Sequence, residues 1–146
     1  MGWIKLKISK ISESIQEYLE AIWISEERDE PLARIKWISE HLDVAPPSAV
    51  EILKKMENKG LVDYESRKGV KLTSKGREIA EQIIRNHRLI EVLMKKTLDQ
   101  EVDEEIACGI EHHMTSEFAD ALCSELGHPK KCPHGNLIPR GDCCLD

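Results

Sequence analysis

Thiol, imidazole and carboxylate groups, which are the donors that bind transition metals, recur at helical spacing in the second half of this chain. One segment reads Glu104-x3-Cys108-x2-Glu111-His112-His113. At 100° per residue, its first four donors fall within an arc of about 100° on one face of a helix. A soluble chain has little reason to gather these groups on one face unless the face binds a cation.

A second pair of donors, His87 and Glu91, lies one turn apart on the preceding predicted helix. Taken alone, His87 on an apolar stripe is more often a hydrogen-bonded core histidine, Cys108 a small buried hydrophobe, and each carboxylate a solvated group. Taken together at the edge of a core, the carboxylates would be costly without a compensating cation. Imidazole, carboxylate and one thiol suit Fe²⁺, Mn²⁺, Co²⁺, Ni²⁺ or Zn²⁺, whereas Ca²⁺ and Mg²⁺ prefer oxygen alone.

These donors must be positioned by the longest elements of a mainly α chain. Apolar spacing and capping residues predict helices over residues 12–24, 35–42, 47–59, 74–98 and 103–126. The inward stripe of the fourth helix includes His87. The apolar side of the last helix, which borders the donor arc, is predicted to be Ile106, Ala107, Ile110, Met114 and Ala121.

The first half of the chain predicts a winged helix-turn-helix. Pro46 and Pro47 suit the first turn of a helix, and Gly60 suits its end. Residues 61–65 and 70–72 then read as two strands around the basic turn 66–69. Residues 31–76 carry 9 basic and 6 acidic side chains although the whole chain has a net charge of −6. We therefore expect a polyanion to bind the middle of the chain and a cation to bind the acidic final half.

Composition excludes several classes of protein. An aromatic content of 4% argues against a stacking platform for single-stranded nucleic acid. No apolar run approaches the roughly 18 residues of a membrane span, and no signal-peptide core is evident, so we expect a cytoplasmic protein. Five late cysteines favour thiol or metal roles over disulfides. No catalytic motif is recognisable, so we expect no enzyme.

The order of these parts resembles the diphtheria toxin repressor family of metal-dependent transcription repressors, including its manganese-transport-regulator branch. The resemblance covers residues 12–140. The motifs that carry it are Glu17-Tyr-Leu-Glu20-Ala-Ile, Leu42-Asp-Val-Ala-Pro-Pro-Ser, Lys59-Gly-Leu-Val, Leu72-Thr-Ser-Lys-Gly, His87-Arg-Leu-x-Glu91, Cys108-x2-Ile-Glu111-His112-His113 and Cys132-Pro-His-Gly-Asn-x-Ile-Pro.

The resemblance implies a homodimer that represses metal-ion homeostasis genes by binding double-stranded operator DNA. It implies a winged helix-turn-helix DNA-binding domain over residues 1–76, a helical dimerisation and metal-binding domain over 77–128, and a Cys/Pro/Gly-rich tail over 129–146. The chain is expected to be a short form that lacks the SH3-like domain of the iron-type members. The implied activating metal is Fe²⁺ or Mn²⁺, for which Zn²⁺, Co²⁺ or Ni²⁺ can substitute.

Two metal positions follow from the same resemblance. The first uses the residues matching Glu17, Cys108, Glu111 and His112. The second uses the residues matching His87, Glu91 and Glu104, the last of which is a histidine in the family. Glu20 matches a carboxylate ligand of the manganese branch. Cys108 is of the iron type, whereas Glu17, Glu20 and His113 are of the manganese type, so the metal and the number of ions stay open.

By family position, the residues that face the DNA major groove are Ala45, Pro47, Ser48 and Glu51. Ser48 can hydrogen-bond a base edge or a phosphate, and Ala45 and Pro47 can contact thymine methyl groups. Glu51 departs from the family pattern and either accepts from cytosine N4 or faces solvent. The candidates for phosphate contacts are Lys54, Lys55, Arg67 and Lys68. For the lysines, an ordinary solvated helix face is the alternative.

Alternatives remain for the tail and for the function. Cys132, His134, Cys143 and Cys144 place four soft donors within 13 residues, which suits a zinc or iron–sulfur site, whereas the family match at Cys132 implies a turn. The rival functions are a winged-helix regulator without metal sensing, in which the histidines and cysteines are structural, and a metal-handling protein or metalloenzyme.

Overall fold

The chain is described from residue 11 to residue 144 in a computed structural model, and its contacts separate an N-terminal unit, Ile11–Ala80, from a C-terminal unit, residues 81–144. The outer ends of the predicted domains, residues 1–10 and 145–146, lie outside the described residues. The expected architecture, a mainly α chain with a winged helix-turn-helix followed by a helical region, is confirmed.

Three helices build the core of the N-terminal unit: α1 (Glu13–Glu27), α2 (Ile35–Leu42) and α3 (Pro46–Asn58). Ser12 caps α1, because its hydroxyl accepts from the backbone N–H of Ile15 at 3.3 Å. Two prolines open α3, where the missing N–H has no partner to lose. The helices bury a shared apolar core that includes Leu19, Ile22, Ile38, Leu53 and Met56.

The wing is an antiparallel hairpin of β1 (Val62–Glu65) and β2 (Gly69–Leu72), in which Glu65 pairs with Gly69. Ala33 adds a third strand position, because it exchanges two backbone hydrogen bonds of 2.8 and 2.9 Å with Val70. A Cβ on Gly69 would lie 2.7 Å from the carbonyl oxygen of Ala33. Glycine is therefore required for the hairpin to approach this segment.

Thr73 and Gly76 join the hairpin to the next helix, α4 (Ser74–Val92). The Thr73 hydroxyl donates to the carbonyl of Gly60 at 2.7 Å and accepts from the N–H of Gly76 at 3.0 Å. A Cβ on Gly76 would lie 1.9 Å from the carbonyl oxygen of Leu61. The Thr-Ser-Lys-Gly segment thus caps α4 and allows its first turn to contact the start of the hairpin.

In the C-terminal unit, α4 continues into a π-helical turn, Leu93–Thr97, close to the predicted end of this helix. The single helix predicted over residues 103–126 is wrong. The segment forms two helices, α5 (Glu104–Glu111) and α6 (Ser116–Glu125). The break arises because Thr115 caps α6, its hydroxyl accepting from the N–H of Phe118 at 3.1 Å.

The predicted apolar side of this segment is only partly correct. Ala107 and Met114 are buried, whereas Ile106 and Ile110 are 52% and 40% exposed and Ala121 is also exposed. The physical reason is that the donor face of α5, with Glu111, is the face turned into the C-terminal unit. Because a new helix begins after Thr115, α6 can bury Ala119 and Cys123.

The tail returns to the core of the C-terminal unit. A tight turn forms where the N–H of Cys132 donates to the carbonyl of Asn136 and the N–H of Gly135 donates to that of Cys132, both at 2.9 Å. Ile138 is buried in the same apolar cluster as Leu89 of α4. The chain then forms a short 3₁₀ turn, Asp142–Cys144. None of the described helices is long and apolar enough to cross a membrane.

Candidate metal centre and nucleic-acid interface

The imidazole of His87 is the centre of a group of carboxylates. Its Nε2 lies 2.9 Å from Oε2 of Glu104 and 3.7 Å from Oε1 of Glu91, and its Nδ1 lies 3.3 Å from Oε1 of Glu111. His87, Glu91 and Glu104 each offer one ligand atom within 4.8 Å of the others. The structure thus brings together the donors of both sequence segments.

Local helix geometry explains this convergence. His87 and Glu91 are one turn apart on α4. Asp103 starts α5 by accepting the N–H of Ile106 at 3.1 Å, which places Glu104 in the first turn and Glu111 two turns later. The same face of α5 therefore presents both carboxylates to His87.

The three carboxylates differ in their exposure to solvent, and therefore in the free energy that is lost when their charge is buried. Glu104 is exposed, whereas the Glu91 side chain is buried and Glu111 is 0% exposed. Burial raises the pKa of the Glu91 carboxyl, and the imidazoles of His87 and His134 act in the opposite direction. Nδ1 of His134 lies 2.7 Å from Oε2 of Glu91. His134 was predicted only for the tail cluster, so its contact with Glu91 was missed.

Glu111 tests whether a cation fits this centre. Its Oε1 faces His87, but its Oε2 is buried without a hydrogen-bond partner among residues 11–144. A buried carboxylate oxygen without a donor is costly, and the imidazoles of His87 and His134 cannot balance three carboxylates even when both are charged. A divalent cation would satisfy both deficits, so these residues fit a metal site of nitrogen and oxygen donors.

A second donor pair consists of Cys108 on α5 and His112, the C-cap residue of that helix. Sγ of Cys108 is 3.4 Å from Nε2 of His112, which is one turn later and buried. Thiolate and imidazole at this spacing suit a borderline or soft divalent metal. Glu17 and Glu20 lie three residues apart on α1 of the N-terminal unit, on one face of that helix.

The predicted DNA-contacting residues form an exposed surface of the N-terminal unit. Ala45 is the N-cap of α3, and Pro47, Ser48, Glu51, Lys54 and Lys55 are exposed on that helix. The Glu51 carboxylate lies 3.9 Å from Nζ of Lys55, one turn away, so this carboxylate has an intrahelical cation beside it.

Arg67 and Lys68 are exposed at the tip of the hairpin. Arg67 has a φ of +69°, in the left-handed region that favours glycine, and the N–H of Lys68 closes the turn on the carbonyl of Glu65 at 3.0 Å. A cationic side chain thus occupies a position where backbone conformation would favour another residue.

The four donors predicted for the tail are not gathered together. Cys132 and His134 lie near Glu91, whereas Cys143 and Cys144 lie near two residues that sequence reasoning missed, Cys123 and His128. The available signal was the spacing Cys123-x4-His128 around Gly127, which places a thiol in the last turn of α6 and an imidazole just after it.

Comparison with known proteins gives matches over both halves of the chain. Residues 10–70 match the family model "Iron dependent repressor, N-terminal DNA binding domain", and residues 73–140 match "Iron dependent repressor, metal binding and dimerisation domain". The iron-dependent repressor IdeR of Mycobacterium bovis is 32% identical over 135 residues, which cover 90% of this chain and 58% of that protein.

Two further proteins extend the comparison. The HTH-type transcriptional regulator MntR of Oceanobacillus iheyensis is 32% identical over 111 residues, which cover 75% of this chain and 74% of that protein. A manganese-dependent transcriptional repressor solved in complex with manganese is 31% identical, with a TM-score of 0.80 over 87% of this chain and 59% of that one. The chain thus spans less than two thirds of the IdeR protein and of the solved repressor.

Proposed function

The chain belongs to the family of iron-dependent repressors, and we propose that it is a metal-activated repressor of metal-ion homeostasis genes that binds double-stranded operator DNA as a homodimer. The observation that carries the proposal is the convergence of Glu91, Glu104 and Glu111 on His87. A regulator of this kind acts where the DNA is, in the cytoplasm.

The proposed ligands form two sets. His87, Glu91 and Glu104 hold one divalent cation, and Cys108, Glu111 and His112 provide donors for a second. Fe²⁺ and Mn²⁺ are the proposed physiological ions, because the similar proteins are named for iron or manganese and because imidazole with carboxylates suits both. Zn²⁺, Co²⁺ and Ni²⁺ are expected to substitute.

The proposed DNA surface consists of α3 and the hairpin tip. Ser48 is exposed in the first turn of α3, where it can reach a base edge or a phosphate, with Ala45 and Pro47 beside it. Lys54, Arg67 and Lys68 are exposed cations available to phosphates. Lys55 lies beside Glu51, so the two charges offset each other. We therefore propose that this pair helps to orient α3 on the DNA more than it adds to the attraction between the protein and the DNA.

Exposed apolar side chains of the C-terminal unit support the dimer. Ile106 and Phe118 are 52% and 54% exposed on α5 and α6. Ile110 and Phe118 also line a groove of about 420 Å³ that includes Met114. Such a surface is costly in water, and a second copy of the chain would cover it.

The proposed coupling between metal and DNA follows from charge. The three carboxylates around His87 repel one another, which favours separation of α4 from α5. A bound divalent ion supplies the charge that neutralises them. If only the gathered arrangement binds DNA well, metal and DNA each raise the affinity of the other by the same factor. Typical couplings correspond to a factor of about 5–150.

Fluorescence anisotropy tests this function. A duplex is first selected from a random-sequence pool in the presence of Mn²⁺, and its affinity is then measured anaerobically with Mn²⁺, with Fe²⁺ and with a chelator. We expect tighter binding with either metal and loss of this difference in His87→Ala. Glu105→Gln, which changes an exposed carboxylate on α5 beside Glu104, should retain the difference.

Other outcomes would support the rival functions. Equal DNA affinity with metal and with chelator would indicate a winged-helix regulator without metal sensing. Metal binding without selection of any duplex would indicate a metal-handling protein.

A further inference from the structure

Three thiols and one imidazole form a cluster apart from the carboxylate centre. Sγ of Cys144 lies 3.4 Å from that of Cys123 and 3.6 Å from that of Cys143. Nδ1 of His128 lies 3.5 Å from the sulfurs of Cys123 and Cys144 and 3.8 Å from that of Cys143. All four ligand atoms lie within 4.8 Å of one another.

These distances match the edges of a tetrahedral zinc site. Bond lengths of roughly 2.3 Å for Zn–S and 2.0–2.1 Å for Zn–N imply edges of about 3.8 Å between sulfurs and about 3.6 Å between sulfur and nitrogen. The observed sulfur–sulfur distances of 3.4 and 3.6 Å and the sulfur–nitrogen distances of 3.5 to 3.8 Å are close to both values. One ion would therefore fit with ligand shifts of a few tenths of an ångström.

The surroundings of the cluster fit a thiolate-bound cation. Three thiolates and one divalent ion carry a net charge of −1, and Nη2 of the buried Arg85 donates to Sγ of Cys143 at 3.2 Å. Nη1 of Arg85 is held by Asp120 at 2.8 Å. A charged hydrogen-bond donor that is itself held in place can orient a metal ligand.

Backbone geometry holds the two tail cysteines against α6. A Cβ on Gly141 would lie 2.4 Å from Cζ of Arg85, so glycine allows this close approach. The guanidinium of Arg140 donates to the carbonyl of Cys144 at 3.1 Å. Cys123 and Cys144 are both buried, which places the cluster at the edge of the apolar core.

We propose that Cys123, His128, Cys143 and Cys144 bind one Zn²⁺ in a closed structural site that fastens the end of the tail to α6. Four protein donors leave no open coordination position, which is the pattern of structural and not of catalytic zinc. Three sulfurs also distinguish this site from the oxygen-rich centre around His87, so the two sites should differ in the metals they retain.

Metal analysis of the whole chain tests the proposal. The protein is purified under reducing conditions and dialysed against a chelator, and its zinc is measured by elemental mass spectrometry. We expect one zinc per chain in the wild type and in the control Cys132→Ser, which changes a buried tail cysteine outside the cluster. We expect loss of that zinc in Cys143→Ser and retention in His128→Cys, which keeps four donors.

Replacement by Co²⁺ gives a readout that does not depend on stability. Tetrahedral thiolate coordination gives a charge-transfer band in the near ultraviolet and intense visible bands, and we expect both in the wild type and in His128→Cys but not in Cys143→Ser. Wild-type protein that holds no zinc and gives no such spectrum would overturn the proposal. A Cys123–Cys144 disulfide in the reduced preparation, found by mass spectrometry, would also overturn it.

Discussion

Replacement of Glu111 by Gln should change stability in opposite directions without and with metal. Gln has nearly the same shape, and its carbonyl can still accept from His87. The substitution removes the charge of a side chain that is 0% exposed and whose Oε2 has no hydrogen-bond partner among the described residues. Glu111→Gln should therefore stabilise the metal-free protein while weakening its response to metal.

The expected size follows from the cost of an unsatisfied buried group, which is about 1–3 kcal/mol and larger for a charge. Part of this cost remains, because the Gln amide nitrogen is also buried. We therefore expect the metal-free variant to be more stable by about 1–2 kcal/mol. With metal at 100 times its Kd, the wild type should gain about 2.7 kcal/mol, a gain that the variant should largely lack.

Differential scanning calorimetry in chelator and in Mn²⁺ measures both effects. Glu105→Gln is the matched control, since Glu105 is exposed on the same helix and its replacement should change neither value. If Glu111→Gln were less stable than wild type in chelator and gained as much from Mn²⁺, the interpretation of Glu111 as a metal ligand held at a cost would be wrong.

Three further predictions concern the N-terminal unit. Gly76→Ala should lower the free energy of unfolding, measured by urea denaturation, because the added Cβ would meet the carbonyl of Leu61. The same change normally stabilises a helix by about 1 kcal/mol, so a gain in stability would contradict this packing. Arg67→Gly should relieve a left-handed backbone at little cost in stability, yet weaken DNA binding and reduce the salt slope by about 1; an unchanged slope would remove Arg67 from the phosphate contacts. Burial, and to a smaller extent the charge of Arg28, lowers the pKa of His41. Its imidazole stacks on the Trp37 ring, with 4.7 Å between the ring centroids. The stability from neutral His41 is thus present above its ordinary pKa of about 6.5 and is lost as pH falls through the lower folded value. In His41→Gln, a pH titration followed by Trp fluorescence should be flatter over that pH range. A titration identical to that of the wild type would refute the assignment of this pH dependence to His41.

Local signals in the sequence predicted much of the fold. Ser12, Asp103 and the prolines before residue 48 act on their own helix, so the starts of α1, α5 and α3 could be read directly. The family resemblance drawn from the motifs is confirmed by matches over both halves of the chain. The break at Thr115 was missed because apolar spacing continues across it, and only the cap shows that a new helix begins there.

The candidate sites were less predictable, because their donors are distant in sequence. His87 and Glu91 are visible as a helical pair, but the contact of His134 with Glu91 depends on the return of the tail. Cys123 and Cys144 are likewise brought together only by packing around Arg85. Spacing rules detect donors on one helix and do not detect donors that different segments contribute.

The Mn²⁺ affinity measured with and without the selected duplex tests the central claim most directly. If metal and DNA favour the same arrangement, saturating duplex should lower the Kd for Mn²⁺, and the factor should equal that by which Mn²⁺ lowers the Kd for the duplex. Isothermal titration calorimetry, run anaerobically on the wild type and on Glu105→Gln, gives the first factor, and anisotropy gives the second. A Kd for Mn²⁺ that is unchanged by the duplex would contradict metal-activated DNA binding.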